Sequence, residues 1–149
     1  MKFISKERYL IDTNVLVYSV NRKSSLYAPS RKIMEEGLKQ KIHFVVAHQN
    51  LIEFIAVLTR AYKINPAEAL RDAEAFASRF ELIYPLHTTM KTYLNLAPKL
   101  GKTLYPFDLY LIATMQDNAV ERIITGNVKD FKGAGLQEVL EVAAQNTNS

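Results

Sequence analysis

Tyr9-Leu10-Ile11-Asp12-Thr13-Asn14-Val15-Leu16-Val17-Tyr18 is an apolar, β-prone run that ends in a carboxylate, passes two short polar residues and resumes as a second apolar run. The first run is too short for a helix and rich in residues that pack on a pleated sheet, so it predicts a buried strand. Asp12 then stands at the C-terminal end of that strand, the edge at which open α/β sheets bind ligands. Thr13 and Asn14 suit a tight turn or a helix start, because their side chains reach nearby backbone. Two roles are open to Asp12 here. It can cap the segment that follows, for which Asp is favoured, or it can belong to a site.

Outward from this stretch, strands alternate with helices. Val15–Val20 begins a short helix, Asn21–Ser25 is a polar loop, and Pro29 suits the first turn of a helix that continues over Arg31–Lys41. His43–Ala47 is β-branched and aromatic enough for a second strand. Leu51, Phe54, Ile55, Leu58 and Tyr62 repeat at helical spacing within Gln49–Tyr62. Asn65-Pro66-Ala67-Glu68 starts a further helix, with a capping Asn, Pro at the first position and Glu68 placed to close a capping box; it should reach Arg79. Glu81–Tyr84 is a short strand stopped by Pro85. A helix from Thr88 or Thr89 to Leu100 ends at Gly101, and Pro106 opens another that runs to Asn118. Arg122–Thr125 is a buried strand before the turn Gly126-Asn127, and Val139–Ala143 is a last strand. The expected fold is α/β: one domain of three layers (α/β/α) over residues 1–144, with a central, mainly parallel sheet covered on both faces, and a polar tail at Gln145–Ser149.

Composition narrows the function classes. A chain of 149 residues, 48% hydrophobic and 23% charged, matches one globular domain. The absence of cysteine removes disulfides, thiolate zinc sites and cysteine nucleophiles. The Met1–Lys6 opening reads as neither signal peptide nor membrane span, which places the expected location in the cytoplasm. A net charge of +4 is compatible with a polyanionic partner. The basic residues, however, are scattered pairs and form no dense block.

Three acids stand in unusual company. Glu53 interrupts the apolar Leu51-Ile52-Phe54-Ile55, and the next residues on its helical face are Ala56 and Val57. It either looks at water or is a partly buried carboxylate, which needs a partner or a metal. Asp108 lies in the first turn of the Pro106 helix, where it meets the positive end of the helix dipole, yet it heads a stripe of Leu111, Ile112 and Met115. Thr125-Gly126-Asn127-Val128-Lys129-Asp130-Phe131 follows a buried strand. It reads as a turn using Gly and Asn or as a polar cluster in which Thr125, Asn127 and Asp130 meet water or phosphate. In a parallel sheet these positions can converge with Asp12 on one edge. Carboxylates without cysteine or clustered histidine make a hard, all-oxygen donor set suited to Mg²⁺ or Mn²⁺. Crowded carboxylates repel, so at least one should titrate above its usual range. Such sites perform metal-assisted phosphodiester hydrolysis.

Leu10–Asn14, Asn50–Glu53, Phe107-Asp108 and Thr125–Phe131, in this order and spacing, resemble the PIN-domain ribonucleases, most closely the VapC-type toxins of toxin–antitoxin pairs. The resemblance covers nearly the whole chain. It implies that Asp12, Glu53 and Asp108 hold Mg²⁺ or Mn²⁺ and orient the attacking water, with Thr13 supporting the first acid. The family often carries a fourth acid in the late turn. Here the match is Asn127, with Asp130 three residues on as an auxiliary metal ligand, so one well-held ion is expected. The resemblance also implies an RNA substrate, a homodimer and an antitoxin whose extended tail enters the acidic groove. Lys99 and Lys102 are the expected phosphate contacts, although a solvated loop explains them as well; His43, His48 and His87 are isolated from one another. Two other functions stay open. One is a degenerate RNA- or protein-binding domain without catalysis. The other is an aspartate-nucleophile phosphatase, which needs a second acid where this chain has Asn14.

Overall fold

The structure, a computed structural model, describes residues 2–143, so the expected tail Gln145–Ser149 and the domain end at position 144 lie outside the described residues. Five strands form one sheet: β1 (Arg8–Ile11), β2 (His43–Ala47), β3 (Glu81–Ile83), β4 (Arg122–Thr125) and β5 (Glu138–Glu141). Their order is β3-β2-β1-β4-β5, and every pairing is parallel. Around it stand α1 (Thr13–Val20), α2 (Tyr27–Lys39), α3 (His48–Ala56), α4 (Pro66–Arg79), α5 (Thr89–Leu100) and α6 (Pro106–Asp117). No helix among the described residues is long and apolar enough to cross a membrane.

Each strand starts on a polar or charged residue, and the centres of β1, β2 and β4 are apolar because both their faces are covered. Tyr9, Ile11, Phe44, Val46 and Ile124 pack with residues of α1 to α4 in one core, whereas Leu10, Val45, Ile83 and Ile123 pack with α5 and α6 in the other. The result is the three-layer α/β/α domain with a parallel sheet that the alternation of elements predicts. β1, the central strand, is sealed from water: Tyr9, Leu10 and Ile11 are at most 1% exposed. On the α5–α6 side, Thr88, Thr89 and Thr92 all donate hydroxyl hydrogen bonds to Asp117, pinning the start of one helix to the end of the other.

Local chemistry sets the boundaries. Asn65 caps α4 by accepting from Ala67 N at 2.9 Å, with Pro66 at the first position. α2 starts earlier than its periodicity predicts, at Tyr27, which leaves Pro29 still in the first turn. The expected continuous helix over Gln49–Tyr62 is two pieces. α3 ends at Ala56, and Val57–Ala61 is a π-helical turn in which Tyr62 N bonds Val57 O. There the Thr59 hydroxyl takes Ile55 O at 2.7 Å, a side-chain bond that competes with the regular ladder. The last strand likewise ends at Glu141, although Val142 N still reaches Thr125 O.

Gly37 is required by proximity. A Cβ there would collide with the ring tip of the buried Phe44 and with Ile42. Gly37→Ala should therefore lower stability by about 1–3 kcal/mol as α2 is pushed off β2, measured as a drop in the urea midpoint at constant slope.

Candidate active site

The chain passes from β1 to α1 without a loop, and Asp12 is the hinge residue. Its backbone N–H still bonds Ile124 O across the sheet at 2.9 Å, while its side chain accepts from Thr13 N at 2.8 Å as the cap of α1. The second carboxylate oxygen accepts from the Thr125 hydroxyl, at the end of the neighbouring β4, at 2.8 Å. The two roles open to Asp12 are thus not alternatives, because one oxygen caps the helix and the other faces the strand edge.

Thr13 and Gln49 fix the second acid. The Thr13 hydroxyl donates to Glu53 Oε2 at 2.9 Å, and Gln49 Nε2 donates to Glu53 Oε1 at 2.9 Å. Gln49 Nε2 also donates to Phe107 O at 2.9 Å, which ties α3 to the first turn of α6, where Asp108 stands. Beneath them lies Asn50, fully buried. Its Nδ2 donates to the Thr13 hydroxyl at 3.1 Å and its Oδ1 accepts from Ala47 N at 3.0 Å. On the β4 side, Asn14 Oδ1 accepts from Gly126 N at 3.0 Å, and Thr125 Oγ1 accepts from Asn127 N at 3.0 Å. Asn127 turns its side-chain amide onto the Asp130 carboxylate. It therefore serves the neighbouring acid as a donor.

The acids feel one another. Burial pushes the Asp12 carboxyl up to about 6, against the pull of the Thr125 and Thr13 hydrogen bonds, and the charges of Asp108 and Glu53 add to the rise. Asp108, half-buried, is also pushed up to about 6 by burial and by the charges of Asp130 and Glu53. Four carboxylates that are distant in sequence thus share one field at the C-terminal edge of the sheet. Lys99 and Lys102 are exposed at the end of α5 and in the turn after it. His43 and His48 are exposed, and the His48 ring stacks on Tyr84.

The donor chemistry fits a hard divalent cation. All four side chains offer oxygen, and the two raised acids are those that a positive charge would relieve. Among the described residues, however, no three His, Asp or Glu side chains are already grouped to hold an ion. Both oxygens of Asp12 and both of Glu53 accept a hydrogen bond from the protein, and each carboxylate keeps further lone pairs with which it could meet an ion.

Gln49, Asn50 and Asn14 escaped the sequence reading. Gln49 carried a signal, since it stands one helical turn before Glu53. Asn50 and Asn14 stood in the stretches that carry the resemblance, but their partners Thr13 and Gly126 are set by the packing of α3 against α1 and of α1 against β4.

A family model described as a PIN domain matches residues 9–135. A sequence comparison with the curated proteins gives no match. Among solved structures, VapBC2 from Rickettsia felis bound to a promoter DNA fragment is similar, with a TM-score of 0.72 and 18% identity over 91% of this chain and 99% of that one. VapBC-1 from nontypeable Haemophilus influenzae gives 0.66 and 24% identity, over 88% of this chain and 96% of that one. VapC20 from Mycobacterium tuberculosis, a sarcin-ricin loop cleaving toxin, gives 0.66 and 13% identity, over 86% and 95%. At these identities the likeness is one of fold.

Proposed function

The chain belongs to the PIN domain family, and from that premise we propose that it is a metal-dependent endoribonuclease of the VapC toxin type that hydrolyses RNA phosphodiester bonds. The observation that carries this reading is the meeting of Asp12, Glu53, Asp108 and Asp130 at one edge of the sheet, where burial first, and the neighbouring carboxylates' charges in addition, push Asp12 and Asp108 up to about 6. Asp12, Glu53 and Asp108 would hold Mg²⁺ or Mn²⁺, with Asp130 as the auxiliary acid. Such an ion, when bound, neutralises charge on the phosphate and acidifies water. The remaining roles fall to the chain itself. Thr125 and Thr13 hold the carboxylates of Asp12 and Glu53 in fixed orientations. Gln49 keeps Glu53 and the start of α6 at a constant separation. Lys99 and Lys102 take RNA phosphates. The partners in this reading are the RNA, a second copy of the chain and a cognate antitoxin.

The test is RNA cleavage in Mg²⁺ or Mn²⁺. Asp108→Asn and Glu53→Gln should each lower the rate at least ~100-fold, since each removes a charged ligand. Wild-type rates in both variants would overturn the assignment. Gln49→Ala should cost roughly tenfold in rate, because it loosens an outer support without removing a ligand. Its melting temperature should stay within about 2 °C of wild type.

Isothermal titration with Mn²⁺ separates this reading from a degenerate binding domain, which needs no ion. The phosphatase reading meets an obstacle: Asn14, where that chemistry needs an acid, spends its Oδ1 on Gly126 N.

A further inference from the structure

Immediately before Asp108 the chain leaves two aromatic rings in the open. Tyr105 and Phe107 keep 64% and 60% of their surface exposed, with ring centroids 5.9 Å apart and planes inclined by 42°. The backbone under them is rigid. Pro106 fixes φ between the two, Leu109 N bonds Tyr105 O at 2.9 Å, and Gln49 Nε2 bonds Phe107 O at 2.9 Å. Because Gln49 also holds Glu53, the rings stand at a set offset from the acids. The packing does not need them, since Leu104 and Leu109, 6% and 1% exposed, anchor this segment to the core.

Charge narrows what such rings can receive. The acids repel phosphate, so a polyanion must cross where cations stand. Lys99 and Lys102 stand exposed on the segment that leads into Tyr105, and neither joins an ion pair among the described residues. Cations followed by flat, exposed rings suit an unpaired strand, with phosphates on the lysines and base faces on the rings. A duplex keeps its base faces stacked inside and offers the rings nothing. We propose that Tyr105 and Phe107 are a stacking platform for unpaired RNA bases, one base to each inclined ring, and that they make the site selective for single-stranded over double-stranded RNA. This rests on the RNA-directed reading above.

The test uses the full chain with EDTA present, so that binding is read without cleavage. The probe is a fluorescein-labelled oligoribonucleotide of about twelve nucleotides, single-stranded or annealed to its complement, followed by anisotropy. Tyr105→Leu and Phe107→Leu should each weaken single-strand binding roughly tenfold, and the double variant about a hundredfold, with duplex binding changed less than about twofold. Tyr105→Phe, which keeps the ring, should bind like wild type. Unchanged single-strand binding in the double variant, or an equal loss for duplex, would overturn the platform. So would a change in sedimentation without RNA and no change in RNA affinity, since the rings would then be a contact between copies of the chain. Cleavage by wild type in Mn²⁺ is measured in parallel. Ring-dependent binding without cleavage sinks the nuclease reading and leaves the platform standing. Cleavage with KM and Kd indifferent to the rings does the opposite.

Discussion

Asp12→Asn should abolish RNA cleavage, by at least about a thousandfold, and at the same time make the metal-free protein more stable. A carboxyl held at about 6 in the folded chain against an ordinary 3.8 costs up to about 3 kcal/mol once the pH is above 6. The amide keeps the geometry. Its oxygen still accepts from Thr13 N, and its nitrogen can donate to Thr125 Oγ1, which also accepts from Asn127 N. The melting temperature at pH 7.5 in EDTA should therefore rise by about 3–6 °C.

The sign follows from proton linkage. The folded chain binds more protons than the unfolded chain between about pH 4 and 6, so stability of the metal-free wild type falls as pH rises through that window and stays low above it. Asp108, raised in the same direction but half exposed, adds a smaller share. In Asp12→Asn the slope should flatten. Adding Mn²⁺ at pH 7.5 should raise the melting temperature of wild type and leave this variant nearly unmoved. A variant that melts below wild type at pH 7.5 in EDTA would show that Asp12 is held by favourable contacts and is not a strained charge.

Asn50→Ala carries the second large effect, and this one is on folding. The side chain is fully buried and satisfies Ala47 N on one side and the Thr13 hydroxyl on the other. Truncation removes both bonds and strands a buried backbone donor, at a cost of about 2–4 kcal/mol. Urea unfolding should show the loss as a lower midpoint, and the melting temperature should fall by roughly 5–10 °C. Asn50→Asp keeps the acceptor for Ala47 N but buries a charge near Glu53, whose Oε2 shares the Thr13 hydroxyl. Its deficit should shrink as the pH is lowered and the new carboxyl protonates. A stable Asn50→Ala protein would mean that the link between α3 and α1 is dispensable.

Periodicity was sufficient for the strands and most helices of this chain, because each element's pattern states how it will be buried. β1 and β4 are apolar at their centres since both their faces are covered, and Asn65-Pro66 starts α4 by chemistry that acts within a few residues. The π-helical turn at Val57–Ala61 was not legible: Thr59 back-bonds in competition with a ladder that the apolar spacing of Leu58 and Tyr62 does not reveal. The acids were legible as residue types in odd surroundings, and the strand ends told where Asp12 and Thr125 would stand. By itself, then, the sequence determined a parallel α/β domain with carboxylates at its strand and helix ends. It took the assembled fold to set Gln49 between Glu53 and α6 and to prop Thr13 on Asn50. Those bonds join segments up to tens of residues apart, and hydrogen-bond partners at that range are chosen by how helices seat on the sheet, which no local pattern encodes.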